Sequence, residues 1–419
     1  MRNPSARTWL AFTATTVLAT LLGAAGASAA GLKAEVMHWW TSGGESAAVK
    51  VFASQFDAAG GEWIDAAVAG GGGEAARAAG INRIVGGNPP TAMQFNTSKQ
   101  FDELISQGLL ATLDDVAAKD NWKAVVNPVV LSAVTREGHI YAVPVNIHSN
   151  NWLWYSPAAL EKIGATPPKT WDEFFAAADK LKAAGIIPLA QAGDSWTQLL
   201  TYHDVLLSVG GKDLFMKIYK DLDANAVKSP EFKKVAETFG KLRFYGDEGQ
   251  QGRQWNQAIA LVITGKAGFN FMGDWAKGEI IAAGQTPGKE VGCIPGLGRQ
   301  IYWIGGDVFV FPKSKNNEVQ AAQQLLAHVM LSPDTQVAFN NKKGSVPVRS
   351  DVDTSKLDSC AQAGLALLKS GSYVPGSDLL ITPDLNGSLQ DAVGSFWSDK
   401  SKTPDDFVKT IADIIANAK

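Results

Sequence analysis

Val36-Met37-His38-Trp39-Trp40-Thr41-Ser42-Gly43-Gly44-Glu45 is the stretch that decides the fold class. Its apolar run reads as a β-strand, and the residues from Thr41 to Gly44 read as the turn that ends it. Two indoles stand at the carboxyl end of that strand, and a carboxylate follows just past the turn. In open α/β sheets, ligands sit outside the carboxyl ends of strands. Two aromatic faces and a carboxylate in that place suit a neutral, polyhydroxylated ligand. The apolar face of a sugar ring lies on an aromatic ring, and its hydroxyls make charge-assisted hydrogen bonds.

Working outward, strand-like and helical runs alternate. Ala48 to Ala59 has helical spacing, with Val49, Phe52, Ala53 and Phe56 on one face. Ile64 to Val68 reads as a second strand, which runs into Gly70-Gly71-Gly72-Gly73 and a helix from Glu74 to Ile84. Thr91 to Phe95 is a third short strand. This alternation implies an α/β fold with a mainly parallel sheet covered on both faces. Glu137-Gly138 reads as a hairpin turn. Asn146 to Tyr155 reads as a strand crossing between lobes, and Thr170-Trp171-Asp172-Glu173 as a capping box that opens a helix to Ala184. Trp303 to Pro312 is one strongly strand-like run.

The first 30 residues read as a leader. Arg2 and Arg7 precede an apolar stretch, and Ala27-Ser28-Ala29 fits a cleavage site, so cleavage is expected after Ala29 or Ala30. The expected mature chain is exported and soluble, with roughly 390 residues and two domains, and the resemblance given below implies the periplasm. Without Arg2 and Arg7 it has 36 basic and 41 acidic residues, a net charge of −5. No basic run marks a nucleic-acid partner. The chain carries 13 Trp against 7 Tyr. Because an indole N–H needs a partner when buried, several of these Trp should line a half-open polar cleft. Trp63, Trp122, Trp171 and Trp397 read instead as core.

Cys293 and Cys360 are the only cysteines. Pairing is expected in an oxidising compartment, with two buried thiols as the alternative. Gly70 to Gly73 lacks the spacing of either phosphate-binding glycine motif, so it reads as a tight turn. Five scattered His show no metal-binding pattern, and neither a metal nor a cofactor is expected. His148, in an apolar strand, reads as a hydrogen-bonded core residue. Asp194-Ser195-Trp196 lacks the glycines of a hydrolase nucleophile elbow. Glu45 and Asp307 have the residue types of a glycosidase pair, but a carboxylate that only accepts sugar hydroxyls needs no partner.

Five segments together resemble the extracytoplasmic sugar-binding proteins of ABC importers, in their glucose/mannose-binding branch. They are His38 to Glu45, Gly70 to Gly73, Asn151-Trp152-Leu153-Trp154-Tyr155, Phe271-Met272-Gly273-Asp274-Trp275 and Gly305-Gly306-Asp307-Val308-Phe309-Val310-Phe311-Pro312. The resemblance implies two α/β lobes joined by several crossover segments, with the ligand in the cleft between them. The lobes are expected at about 31–145 with 305–350, and at 146–304 with 351–419.

Carried over residue by residue, Trp40 or Trp39 contacts the sugar, Glu45 accepts from hydroxyls, and Gln94 makes a polar contact. Trp255 and Trp275 are the aromatics of the other lobe, Asp307 is an acceptor, and Lys343 (or Lys342) is a donor. Asn96 is a neutral amide where the resemblance leads one to expect a basic or imidazole side chain. The implied ligand is a monosaccharide, glucose or a similar hexose. The implied partners are the permease subunits of an ABC transporter, with the chain itself a monomer. A secreted glycoside hydrolase and a ligand-sensing partner of a membrane receptor are the other two readings.

Overall fold

Residues 31–418 are described in this computed structural model. The expected leader lies outside them. The first strand, Leu32–His38, ends immediately before the two indoles. It is the second of five strands in one sheet, whose order is Gly61–Ala67, Leu32–His38, Ala92–Asn96, Asp307–Val310, Ala142–Pro144. The first three are parallel, and Asp307–Val310 runs antiparallel to both of its neighbours. The helix Gly43–Ala58 buries Val49, Phe52 and Phe56 against this sheet, and Phe52 stacks on Phe339 at 4.1 Å. Burying side chains of this size contributes about 1.5–3 kcal/mol each.

A second sheet of four strands has the order Gly292–Ile294, Trp152–Tyr155, Ala267–Met272, Ile187–Leu189. Its core contains Phe174, Phe239, Phe269, Phe396 and Phe407. Three further strands, Tyr373–Pro375, Tyr302–Gly305 and His148–Ser149, form a small sheet. The architecture is the α/β, two-lobed one expected, but the sheets are mixed rather than mainly parallel, because Asp307–Val310 and Trp152–Tyr155 each run antiparallel to both of their neighbours. The Glu137-Gly138 turn is also present, with both residues at positive φ between two paired short strands. Trp122 and Trp397 are core, whereas Trp63 and Trp171 are only partly buried.

Both stretches read as single strands are broken, and each half joins a different sheet. In the run from Trp303, the break is at Gly306. A Cβ there would lie 2.4 Å from the Asn146 carbonyl oxygen, so the two crossover segments touch backbone to backbone. In the run from Asn146, the break is occupied by the Asn151 side chain. Its Nδ2 donates to the Ile301 carbonyl at 2.6 Å, and its Oδ1 accepts from the Trp303 amide at 3.1 Å. Asn151 thereby satisfies backbone groups that lie outside a strand ladder. The capping box is also modified. Thr170 Oγ1 accepts from the Glu173 amide at 3.2 Å, but Glu173 reaches one residue further back, to the Lys169 amide at 2.6 Å.

Cys293 and Cys360 form a disulfide with Cα atoms 6.1 Å apart. It ties the strand Gly292–Ile294 to the helix Ser359–Ser370.

Candidate functional site

An open cleft of about 940 Å³, its solvent-filled mouth included, lies beyond the carboxyl end of the strand Leu32–His38. Seven of the nine sugar-site candidates line it: Trp39, Trp40, Glu45, Asn96, Trp275, Asp307 and Lys343. Gln94 and Trp255 do not line it. Gln94 is fully buried behind the wall, where its Nε2 donates to Asp307 Oδ1 at 3.0 Å and its Oε1 accepts from the Trp39 amide at 3.2 Å. Gln94 therefore orients two wall residues. Trp255 packs on the tetraglycine loop and is 3% exposed.

Alternation along the chain sends the two indoles different ways. Trp40 turns into the core, with ring centroids 5.3 Å from Phe339 and 5.7 Å from Phe309. Trp39 faces the tetraglycine loop, with the Arg77 guanidinium 5.5 Å from its ring centroid. That loop is pressed between three indoles. A Cβ would stand 2.6 Å from Trp255 at Gly71, 3.0 Å from Trp196 at Gly72 and 2.5 Å from Trp39 at Gly73. Gly73 also has φ +72°. Gly73→Ala should therefore cost about 1–3 kcal/mol through backbone strain and overpacking. It should also displace Trp39. Denaturant unfolding and indole fluorescence of the variant measure the two effects, and an unchanged midpoint would refute the expectation.

Glu45 serves two roles. Its Oε2 accepts from the Ser42 hydroxyl at 3.0 Å, tying it to the start of its own helix, and its Oε1 faces Lys343 Nζ at 3.4 Å. Burial pushes its carboxyl above the usual range, against the pull of Lys343 and Ser42. Lys343 Nζ is also 5.5 Å from the Trp40 ring centroid and 5.8 Å from that of Trp275.

Asp307 is the first residue of its strand, at the break after Gly306. Its Oδ2 accepts from Asn146 Nδ2 at 2.9 Å and meets His148 Nε2 at 3.1 Å. Burial would raise its carboxyl, but the hydrogen bond and charge of His148, with Lys343 and Asn146, bring it below the usual range. His148 Nδ1 in turn bonds Asp274, whose Oδ2 accepts from the Ser149 amide at 3.0 Å. A continuous chain of contacts thus runs from Asp274 through His148, Asp307 and Gln94 to the Trp39 amide. His148 is hydrogen-bonded and buried as expected, but it lines the cavity rather than the core, and its ring meets Trp275 edge-on at 5.2 Å.

Burial, with the charge of Lys343, would lower the His148 imidazole, and the Asp274 and Asp307 carboxylates together more than offset this, so the group ends above its ordinary value. A raised folded value stabilises fully below the unfolded value of 6.5 and is lost as pH rises through the folded value. Asp307 is the converse: its contribution is present above the ordinary 3.8 and fades as pH falls through the lowered value. The thermal midpoint of wild type should therefore fall faster with rising pH, above about pH 6.5, than that of His148→Gln. Superimposable slopes would show that this bridge does not titrate with folding.

Several cleft residues had no sugar-site assignment from sequence, Trp196 and Arg77 among them. Trp196 lines the cavity at the start of the helix Ser195–Val205, with its ring centroid 6.3 Å from Trp275. In sequence Trp196 is an ordinary helix start, with no local signal that marks it as part of the wall. Arg77 lines the cavity from the first turns of the helix Glu74–Val85. Among the described residues, no group of three or more His, Cys, Asp or Glu is arranged to hold a metal ion.

Comparison with known proteins identifies the family. Residues 39–337 match the model of the bacterial extracellular solute-binding protein family. The chain is 42% identical to a probable sugar-binding periplasmic protein of Rhizobium meliloti, over 84% of this chain and 85% of that protein. It is 32% identical to an uncharacterized ABC transporter extracellular-binding protein of Pyrococcus horikoshii, over 88% of this chain and 85% of that protein. Among solved structures, a Thermotoga lettingae ABC transporter solute-binding protein bound with α-D-tagatose superposes with a TM-score of 0.75 at 20% identity, covering 92% of this chain and 99% of that one. The chain belongs to the bacterial extracellular solute-binding proteins, and it is a binding protein rather than an enzyme.

Proposed function

We propose that this protein binds a hexose, glucose or a close relative, in the cleft between its lobes, and delivers it in the periplasm to the permease subunits of an ABC transporter. The observation that carries the reading is the Asp307 carboxylate, buried on the wall of a cleft that also presents Trp39 and Trp275. Three side chains hold that carboxylate in place, so little ordering cost falls on ligand binding. A carboxylate offers about four lone-pair directions, which leaves an acceptor site for a ligand hydroxyl. The indoles supply the apolar surface for the ring, and Lys343 supplies a charged donor.

The proposed lobes are 31–145 with 305–350, and 146–304 with 351–419. Supporting this, Asp307–Val310 pairs with Ala92–Asn96 and Ala142–Pro144, while Tyr302–Gly305 pairs elsewhere. The protein acts as a monomer whose lobes close on the sugar by a hinge motion. Differential affinity for the closed form drives that motion, and the closed form is what the permease receives. Contacts across the cleft support closure: the Gly44 amide donates to Glu279 at 2.7 Å, and Gln390 Nε2 to Glu74 at 3.3 Å.

Calorimetric titration with hexoses, pentoses, disaccharides and polyols tests the reading, alongside small-angle scattering with and without ligand. Sugar binding with compaction is expected. The absence of a heat of binding with any sugar would overturn the reading. So would sustained glycoside turnover that is lost in Glu45→Gln.

A further inference from the structure

One imidazole stands between carboxylates of both proposed lobes. His148 lies in a crossover segment, in the short strand His148–Ser149. Its Nδ1 bonds Asp274, which follows the strand Ala267–Met272 in the 146–304 lobe. Its Nε2 meets Asp307 Oδ2 at 3.1 Å, at the start of the strand Asp307–Val310 in the other lobe. His148, Asp274 and Asp307 are 4%, 1% and 4% exposed. An ionised carboxylate only accepts hydrogen bonds. With one carboxylate on each ring nitrogen, both are met only by a ring that carries both protons.

Asn146 offers the ring a second arrangement. Its Oδ1 accepts from the Asp307 amide at 2.6 Å, which fixes the way the side chain faces. Its Nδ2 stands 2.9 Å from Asp307 Oδ2 and 3.0 Å from His148 Nε2. With a proton on Nε2, Asp307 Oδ2 receives both donors. With that proton gone, Nε2 becomes an acceptor that draws Asn146 Nδ2 from Asp307, and its lone pair faces the Asp307 oxygen.

Other charged and titratable groups surround the bridge. Lys343, at the end of the helix Pro333–Lys343, opposes the charge on the ring, and Glu45 faces Lys343 at 3.4 Å. The Tyr302 hydroxyl donates to Asp274 Oδ2 at 3.4 Å. The bridge also reaches both kinds of proposed sugar contact. Asp307 is the acceptor, and the aromatic Trp275 adjoins Asp274 and meets the His148 ring edge-on.

We propose that His148 is a positioning residue that couples the two lobes: as an imidazolium bonded to Asp274 and Asp307 it holds the closed cleft, so that sugar binding takes up a proton from solvent and weakens in alkaline medium. This rests on the hexose-binding reading and the lobe division above. In the open form the two carboxylates part, and the ring returns toward its ordinary value of 6.5. A group raised in the closed form favours closure fully below its open-form value, and that contribution is lost as pH rises through the closed-form value.

Calorimetric titration with glucose, galactose and mannose tests this, in phosphate and in Tris, whose unequal ionisation enthalpies count the protons taken up. With the tightest of the three sugars, wild type should take up about half a proton per sugar near pH 7. Its affinity should fall about five- to tenfold between pH 6 and pH 9. His148→Gln should take up none, bind about five- to tenfold more weakly than wild type at pH 6, and match it at pH 9. A role in packing alone would lower affinity equally at both pH values. Asp274→Asn keeps an oxygen for the Ser149 amide and serves if His148→Gln does not fold. It removes one of the two charges that hold the proton, so its pH profile and proton uptake should flatten. Sugar binding by wild type with no proton uptake and equal affinity at both pH values would overturn the bridge and leave the hexose reading intact. A wild-type pH profile retained in Asp274→Asn would overturn it as well. Wild type binding none of the three sugars would overturn the hexose reading, and this coupling with it.

Discussion

Asp307→Ala should lower sugar affinity by roughly ten- to a hundredfold, because a hydrogen bond to a charged group contributes about 1.5–3 kcal/mol. The ligand loses its buried acceptor. The protein loses more: Gln94 Nε2, Asn146 Nδ2 and His148 Nε2 all point at that carboxylate. Their partner gone, they are left buried and unpaired, and removal of one member of such a charged set typically costs about 3–5 kcal/mol. The variant should therefore be both a weak binder and less stable, and calorimetry and denaturant unfolding read the two effects separately. Asp307→Asn is the control. It keeps the shape and one acceptor oxygen, but it loses the charge that His148 is held against, so it should fall between wild type and Asp307→Ala in both measurements. Full sugar affinity in Asp307→Ala would place the ligand on other residues.

Loss of the Cys293–Cys360 bond should cost about 4 kcal/mol of stability in the chain-entropy account, given the 67-residue separation that it closes. That is a large share of the roughly 5–15 kcal/mol by which folded proteins exceed their unfolded states. Reduction of wild type and the double change Cys293→Ser with Cys360→Ser should agree in denaturant unfolding. Sugar affinity should hold, because neither cysteine lines the cleft. A loss below about 1 kcal/mol would mean that packing alone secures the helix Ser359–Ser370. The observed packing that could do so is the close approach of Gly364 to Tyr302 and Trp152.

The placement of the indoles and the break at Gly306 separate what local sequence encodes from what it does not. The strand before Trp39, the helix after the glycine turn and the Thr170 cap are all set by neighbours within a few residues. Apolar spacing and cap chemistry report such neighbours directly. Cysteine pairing was also legible, since two cysteines allow one partner each. Trp39, Trp40, Glu45, Trp275 and Asp307 could be named for a related reason: they stand at strand ends, helix starts and turns, where an α/β sheet presents its ligands, whereas Asn96 and Lys343 rested on the family resemblance alone.

Other features depend on contacts far apart in the chain. Nothing near Gly306 indicates that its backbone meets Asn146, or that two halves of one apolar run join different sheets. The same holds for Asp307, which is 161 residues from Asn146 and 213 from Gln94, and for His148, which is 126 residues from Asp274. Gln94 looks like a ligand contact from its own strand, and only the arrival of Asp307 beside it makes it a buried support. Trp255 looks like a cleft aromatic until the tetraglycine loop covers it, while Trp196, an ordinary helix start in sequence, becomes part of the wall. Sequence by itself determined the elements and which of their ends carry the chemistry, because those depend on periodicity and local hydrogen bonding. Which of those side chains share a wall was decided only by tertiary structure, because close packing of distant segments selects among positions that are locally equivalent.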